Sequence, residues 1–393
     1  MLKGKTVVLG VTGSIAAYKI ANLARMLVKQ HCEVHVLMTQ NATNFINPIT
    51  FETLTKHKCL IDTFDRNFEF SVEHVALAKA ADVVMIAPAS ANVIGKIANG
   101  IADDMLTTTV MACPCKKIVS PAMNHNMFHN PIVQDNIEKL KHYGYEIVEP
   151  AHGMLANGDM GDGRMPDEEL LFEYIVKEIA FEKDMTGKKV LVTAGATVEA
   201  IDPVRFITNH SSGKMGFALA KNAMLRGADV TLVMGKCDSE PPVFVNTVKV
   251  QSAKDMYDAV IERADSMDII VKAAAVADYR PKNVSSEKVK KQDGNMSIEL
   301  ERTDDILKTL GERKNGQFIC GFSMETENML ENSRKKLEKK NCDMIVANNL
   351  KQDGAGFGGN TNIVTLTKDD EVQLEKMTKD EVAEKIFDFI LSR

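Results

Sequence analysis

The 393-residue chain contains no apolar run approaching the ~18 residues that a bilayer-spanning helix needs, so no transmembrane helix is expected. It also lacks a surplus of positive charge. Its 48 Lys and Arg against 54 Asp and Glu leave a net charge of -6, which argues against a nucleic-acid-binding protein. Cysteines number seven, an odd count, scattered and without a C-x-x-C pair. That pattern excludes a disulfide framework or a cysteine zinc site and fits a reducing compartment. Cys113-Pro-Cys115 has no second pair to complete a ligand set and reads as packing. A secretory leader is not expected, because the apolar run at 7–11 is short and Thr12, Gly13 and Ser14 interrupt it. The sequence thus reads as that of a cytoplasmic protein.

Two nucleotide-binding motifs are missing as well. A G-x-G-x-x-G match at Gly354, Gly356 and Gly359 precedes a strand where the dinucleotide fingerprint must link strand to helix, and reads as a surface loop. At residues 208–215, "TNHSSGKM", Thr208 and Met215 occupy the positions of the first Gly and last Ser/Thr of a phosphate-binding P-loop, so that motif fails too.

What remains is an ordinary globular composition, 45% hydrophobic and 26% charged, long enough for two or three domains. Residues 4–13, "GKTVVLGVTG", and 187–195, "GKKVLVTAG", share one grammar: Gly-Lys, a short β-branched run, then a small-residue turn. Each reads as a buried parallel strand followed by a helix, at 15–30 in the first half and 215–226 in the second. Further strands are predicted at 32–38, 82–87, 117–120, 146–148, 229–234, 269–273, 318–321, 344–347 and 362–367. Helices are predicted at 72–81, 91–98, 131–143 and, amphipathically, 167–183. Alternation of this kind implies parallel sheets covered by helices on both faces. The fold class is therefore α/β, with two doubly wound Rossmann-like domains, 1–185 and 186–393, and ligands at the carboxyl ends of the strands. Residues 155–165, "LANGDMGDGRM", combine glycines and aspartates that suit neither a strand nor a helix interior, and predict a loop.

The chemistry-bearing residues cluster at strand ends. "TGSIAAYK", from Thr12, places small hydrogen-bonding residues and a Ser14 cap where a strand meets a helix, a ready anion site; "SSGKMG", from Ser211, repeats the arrangement with Lys214. His74 opens a helix before the strand ending in Pro88, Ala89 and Ser90, where it can serve as a base. Asn124, in "PAMNHNMFHNP", can both donate to and accept from a carboxylate or amide. His125 and His129 stand four residues apart, but no carboxylate or third ligand accompanies them, so a metal site is not favoured. In the second half Asp278 follows a strand end, and Lys336 and Lys340 share one helix face. Each lysine alone is an ordinary surface charge; with Ser211–Gly216 they would suit a triphosphate, and Asp278 a base edge or Mg2+.

Taken together, these stretches resemble the bifunctional phosphopantothenoylcysteine decarboxylase/phosphopantothenate–cysteine ligase family of coenzyme A biosynthesis over nearly the whole chain. "TGSIAAYK", "EHVALAKAADVVMIAPASAN", "GIADDMLTTT" and "PAMNHNMFHNP" carry the likeness in the first half. "DPVRFITNHSSGKMGFALA", "AAAVADYRP", "EKVKK" and "NCDMIVANN" carry it in the second. The resemblance implies a flavodoxin-like first domain that binds FMN through Gly13, Ser14, Ile15 and Thr39 at the phosphate end. Ser90, Asn92, Asp103, Met105 and Thr107 would lie around the rest. It implies His74 as the active-site base and Asn124 as the grip on the substrate carboxylate. The cofactor's role there is to create an electron sink for loss of CO2 by oxidising the cysteinyl thiol.

For the second half the resemblance implies activation of 4'-phosphopantothenate by CTP as an acyl-cytidylate, which cysteine then attacks. Asp278, Lys288, Asp304, Asp305, Ile306, Leu307, Phe322, Lys336 and Lys340 match the CTP-binding positions. Lys288 would neutralise charge on the triphosphate and Asn209 would assist conversion of the acyl-cytidylate. Arg205, Ala274 and Ala275, with the Ser211, Ser212 and Gly213 turn, would lie near phosphopantothenate, and Mg2+ is implied by triphosphate chemistry. The family assembles as homo-oligomers, through trimers of the flavin domain and dimers of the ligase domain.

Two departures stand out. Ala196, Val198 and Ala200 replace the Pro, Arg and Pro usual in the ligase pattern. Asn157 replaces the flap cysteine whose thiol donates the proton in the final enethiol reduction, and an amide is no general acid near neutral pH. An enzyme that stops at the enethiol therefore stays open as an alternative. So does a flavoprotein regulatory subunit, against which the complete ligase half and the Glu73-His74 pair speak.

Overall fold

In a computed structural model, which describes residues 2–63, 73–156, 158–290, 296–325, 329–349, 359, 361–367 and 371–392, the chain divides into two compact units, Met1–Phe181 and Glu182–Arg393. Asn157, and Gly354 and Gly356 of the glycine-rich motif, lie outside the described residues.

The first unit is built on strands β1 (Thr6–Val11), β2 (Glu33–Met38), β3 (Val83–Ala89), β4 (Lys116–Pro121) and β5 (Glu146–Ile147). They form one parallel sheet in the order β2-β1-β3-β4-β5. This is the flavodoxin-like order, in which the direction of winding reverses between β1 and β3 and opens a crevice at their carboxyl ends. Every residue of β3 is buried, as a central strand covered on both faces requires. On one face Val8, Val84, Ile86 and Val119 join a cluster with Leu77, Ile94, Leu106, Ile137 and Leu140. Those residues come from α3 (Glu73–Ala80), α4 (Ala91–Ala98), α5 (Met105–Ala112) and α7 (Pro131–His142), which follow α1 (Lys19–Lys29) and α2 (Pro48–Thr55); the single turn α6 (His125–Phe128) precedes α7. The helix α8 (Glu168–Ile179) packs against α1, β3 and β4.

Part of the predicted loop 155–165 is extended instead, because Met160–Arg164 forms a strand. β6 (Ala151–Met154) and β7 (Met160–Arg164) pair antiparallel, with Gly153 opposite Gly161 and Met154 opposite Met160. Cross-strand hydrogen bonding overrides the poor strand propensity of Gly and Asp, which reflects how a side chain packs more than any backbone preference. The hairpin is also tied down from outside, because the Met123 N–H donates to the Gly163 carbonyl at 3.0 Å.

The second unit carries β8 (Lys189–Ala194), β9 (Val198–Ala200), β10 (Phe206–Thr208), β11 (Asp229–Met234), β12 (Asn246–Lys249), β13 (Ile269–Lys272), β14 (Tyr279–Pro281), β15 (Leu300–Arg302), β16 (Phe318–Glu325), β17 (Met344–Asn349), β18 (Thr361–Asn362), β19 (Val364–Thr367) and β20 (Glu371–Gln373). Its main sheet runs β12-β11-β8-β13-β16-β17-β19-β20. The first six strands are parallel, but β19 is antiparallel to both β17 and β20, which corrects the expectation of a wholly parallel sheet. Three residues separate β19 from β20, far fewer than the dozen or so that a parallel crossover needs. The helices are α9 (Lys214–Leu225), α10 (Ala253–Ala264), α11 (Ile306–Arg313), α12 (Met329–Lys339) and α13 (Lys379–Leu391). Arg226, 8% exposed at its side chain, ties the start of the unit to its end through Asp184 at 2.5 Å and Asp388 at 2.9 Å.

The shared opening grammar has a shared structural purpose. Asp82, just before β3, accepts the Thr6 N–H at 2.7 Å; Asp268, just before β13, accepts the Lys189 N–H at 2.8 Å. Each carboxylate caps the first strand of its unit at the end opposite the ligand crevice.

α9 lies unusually close to β8. A Cβ on Gly216 would sit 2.5 Å from Ala194 Cβ and 2.9 Å from the Thr193 carbonyl oxygen. Gly216→Ala gains ~1 kcal/mol of helix propensity but overpacks the interface, at about 1–3 kcal/mol. A net loss of up to about 2 kcal/mol is expected, read as a lowered urea midpoint. A stability gain would show that the helix can retreat without cost. Among the described residues no helix is long and apolar enough to cross a membrane.

Candidate functional site

In the first unit, hydrogen bonds assemble the carboxyl ends of β1, β2 and β3. The Thr12 hydroxyl donates to the Pro88 carbonyl at 2.6 Å and accepts the Ser90 N–H at 2.9 Å; the Thr39 N–H donates to the Val11 carbonyl at 3.0 Å. Gly13, Ser14, Ile15, Thr39 and Ser90 are thereby held at one end of the sheet, at the winding reversal. Ser14 caps a helical turn, Ile15–Tyr18, that runs directly into α1. The Thr39 hydroxyl is buried and finds no hydrogen-bond partner among the described residues. Such an orphan costs about 1–3 kcal/mol and fits a site that receives a polar ligand group.

A cavity of about 450 Å3 opens beside this end. Ser14, Ile15 and Lys19 line one side, Met123 and Asn124 the floor, and Met154, Gly163 and Arg164 of the hairpin the roof. Asn124 caps α6, accepting the Asn126 N–H at 2.9 Å, which leaves its amide NH2 for a substrate. Lys19 and Arg164 both reach Asp167, at 2.9 and 3.4 Å. The Lys19 ammonium holds the Asp167 carboxyl below its ordinary value.

The other flavin-site candidates stand further back. Asn92 is exposed in the first turn of α4. Asp103 pairs with Lys96 at 2.7 Å, which lowers its carboxyl pKa. Met105 and Thr107 are buried at the start of α5, where the Thr107 hydroxyl and Asp104 form a capping box. His74 is half-buried in the first turn of α3 and does not line the cavity.

In the second unit two adjoining cavities, of about 380 and 460 Å3, share Lys272, Val276, Asp278, Phe322 and Lys336. Asp304, Asp305, Ile306, Leu307 and Lys340 line the first. Asn209, Ser211, Ser212, Gly213, Ala274 and Ala275 line the second, together with Lys214 and Lys379. The turn that carries Ala274 and Ala275 is fixed by the buried Thr193 hydroxyl, which accepts the Ala274 N–H at 3.0 Å, and by Ala275 N–H donation to Gly195 at 2.8 Å. The Asn209 amide donates to the Val276 carbonyl at 3.1 Å. Asp305 caps α11 and pairs with Lys340; against the opposing effect of burial, these interactions hold its carboxyl below the usual range.

Lys214, Lys272, Lys336 and Lys379 line the second cavity together with the carboxylate of Asp278, a positive balance that suits an anionic ligand. Burial, reinforced by Lys336, lowers the pKa of Lys272 to about 8. Sequence reasoning passed over two of these lysines. Lys272 was legible as a charge ending an apolar strand; Lys379 lies more than a hundred residues away and gave no such sign.

Arg205 and Lys288 line neither cavity. Arg205 pairs with the buried Asp202 at 2.7 Å and donates to the Val289 carbonyl, while Asp202 accepts the Val289 N–H at 3.1 Å. Against burial, backbone N–H groups of Val204, Arg205 and Val289 and the guanidinium hold the Asp202 carboxyl well below the usual range. Arg205 thus anchors the segment that carries Lys288, which is itself exposed.

Residues 1–180 match the "Flavoprotein" family model, and residues 185–393 match "DNA/pantothenate metabolism flavoprotein C-terminal domain". The coenzyme A biosynthesis bifunctional protein CoaBC of Bacillus subtilis strain 168 is 48% identical over 93% of this chain and 91% of its own. The Vibrio cholerae protein of the same name is 43% identical over 99% of this chain and 98% of its own. A crystal structure of the C-terminal domain of a coenzyme A biosynthesis bifunctional protein, 48% identical, covers 52% of this chain and 95% of that one with a TM-score of 0.46. With both units matched and nearly the full length covered at this identity, the chain belongs to the family of bifunctional coenzyme A biosynthesis proteins.

Proposed function

We propose that the second unit joins 4'-phosphopantothenate to cysteine at the expense of CTP, and that the first unit decarboxylates the resulting 4'-phosphopantothenoylcysteine. The observation that carries the ligase reading is the pair of cavities joined through Lys272, Asp278, Phe322 and Lys336. A nucleotide in one and a phosphorylated acid in the other can meet at that junction. The carboxylate displaces pyrophosphate to give the acyl-cytidylate, and the cysteine amine then displaces CMP. Lys336 and Lys340 neutralise the phosphates, and Lys288 adds to them from the segment that Arg205 and Asp202 anchor. Asp278 and Asp304 supply the hard oxygen ligands that Mg2+ takes with a triphosphate.

In the first unit the Ser14 turn and the orphan Thr39 hydroxyl fit the phosphate end of FMN, with Ser90 and Asn92 near the rest. FMN, when bound, supplies the reversible oxidation of the cysteinyl thiol that gives decarboxylation its electron sink. Asn124 grips the substrate carboxylate from the cavity floor and the β6–β7 hairpin excludes water from above; His74, which does not line this cavity, keeps the role of base on the family resemblance alone. We place the assembly with the family's homo-oligomers.

Purified protein supplied with phosphopantothenate, cysteine, CTP and Mg2+ should release CMP and yield phosphopantetheine by mass spectrometry. Absence of CMP would sink the ligase assignment. A product two hydrogens lighter favours the enethiol reading that Asn157 raises. Asn157→Cys is expected to speed the reductive half-reaction alone; an equal gain in the oxidative half would overturn the role given to that position.

A further inference from the structure

A cluster of side chains next to the first cavity has no part in either reaction. His125 and His129 lie at the start and just past the end of α6, four residues apart, with ring centroids 4.4 Å from one another. The carboxylate that the sequence did not place beside them comes from β7. Asp162 presents one oxygen to His129 Nε2 at 2.9 Å, and its backbone N–H donates to His125 Nδ1 at 3.1 Å. Its other oxygen meets Nδ1 of His152, on β6, at 2.9 Å. The strand is seated tightly here, since a Cβ on Gly161 would stand 2.7 Å from His125 Nδ1.

We propose that His125, His129 and Asp162 bind a divalent transition ion of the zinc class, which latches the β6–β7 hairpin to α6. One ligand atom from each of the three lies within 4.8 Å of the others. Small side-chain rotations bring them to the ~3.3 Å separation of a tetrahedral zinc site, with the fourth position left to water. Two imidazoles and a carboxylate form a borderline donor set that suits zinc, cobalt or nickel and disfavours Mg2+ or Ca2+. His152 plays the supporting part that such sites need, holding the carboxylate by its second oxygen. The His129–Asp162 hydrogen bond gives way to the metal, with the imidazole proton shifting to the other ring nitrogen, while the Asp162 amide keeps its N–H. Because β7 also supplies Gly163 and Arg164 to the cavity roof, the ion would fix the roof relative to Asn124, one residue before His125.

The test uses the full-chain protein, stripped with chelator and titrated calorimetrically with ZnCl2 in a non-coordinating buffer. One ion per chain is expected to bind, and CoCl2 should give the visible spectrum of a tetrahedral site. His129→Gln and Asp162→Ala should each weaken binding about 100-fold, and His152→Ala about 10-fold. His129 is exposed, so its variant keeps the fold whatever becomes of Asp162→Ala. Absence of saturable binding overturns the proposal and leaves a hydrogen-bonded latch. Binding unchanged in the His129 variant but lost on thiol alkylation overturns it too, assigning the ion to cysteines.

Discussion

Lys272→Met is expected to lower CTP-dependent ligation about 100-fold, the effect of removing one preorganised charge from a phosphoryl or acyl transition state. Decarboxylation of supplied 4'-phosphopantothenoylcysteine should be unaffected, because the first cavity belongs to a separate unit. Lys272 follows three buried residues of β13 and lines both cavities of the second unit, so its ammonium stands where the two substrates would meet. Burial and Lys336 lower its pKa to about 8 from the 10.5 of a solvated lysine, with Asp305 and Asp278 opposing. The folded chain therefore binds fewer protons than the unfolded chain between those two values, and stability rises with pH across that window. Below about pH 8 the cost of holding that charge against burial and Lys336 is present in full. Methionine removes that cost. The variant should thus be at least as stable as the parent at pH 7 while losing ligation.

Ligand binding exposes the same linkage. A triphosphate beside Lys272 restores its preference for the charged form, so CTP binding at pH 8.5 should take up as much as roughly 0.75 proton per site. Calorimetry in two buffers of different ionisation enthalpy measures that uptake, and Lys272→Met should abolish it. Undiminished uptake in the variant would assign the proton to another group, and undiminished ligation would remove Lys272 from the site.

How much of this was readable in the chain depends on the range of the interaction. The continuous apolar run of β3 is recognisable as a strand covered on both faces, and its burial agrees with that reading. The antiparallel turn of β19 is not, since a lone strand at a sheet margin looks the same in either direction. The β6–β7 hairpin escaped because its glycines and aspartates are poor strand formers alone and acquire their extended form only by pairing. The sites divide in the same way. Ser14, Asn124 and Ser211–Gly216 belong to local strand-to-helix turns, whose chemistry shows in a few consecutive residues. Asp162 reaches His125 across 37 positions, and Arg205 reaches Val289 across 84. No local pattern announces such pairs; they follow from topology.

Gly163→Ala is expected to cut decarboxylation about 100-fold while leaving CMP release intact. Gly163 adopts φ +117, a conformation that side-chain-bearing residues rarely occupy, at a cost of order 1–3 kcal/mol. Its absent Cβ would stand 2.3 Å from the Met123 carbonyl oxygen and 3.6 Å from the Asn124 carbonyl carbon. Both neighbours are backbone and cannot rotate aside, so the hairpin must lift and stretch the Met123-to-Gly163 hydrogen bond of 3.0 Å. That movement draws the roof away from Asn124, the residue proposed to hold the substrate carboxylate. About 3 kcal/mol lost from the closed arrangement corresponds to two powers of ten in rate. Gly158 provides the control. It too has positive φ, +89, but a Cβ there meets nothing within 4 Å. Gly158→Ala should therefore cost only ~1 kcal/mol of backbone strain and lower decarboxylation within about tenfold. Flavin absorbance should persist in both variants, since the Ser14 turn and Thr39 are untouched. Amide exchange at Met123 should quicken in the Gly163 variant alone. Equal behaviour of the two variants would mean that general flexibility of the hairpin, and not its seat on Met123, governs the closed site.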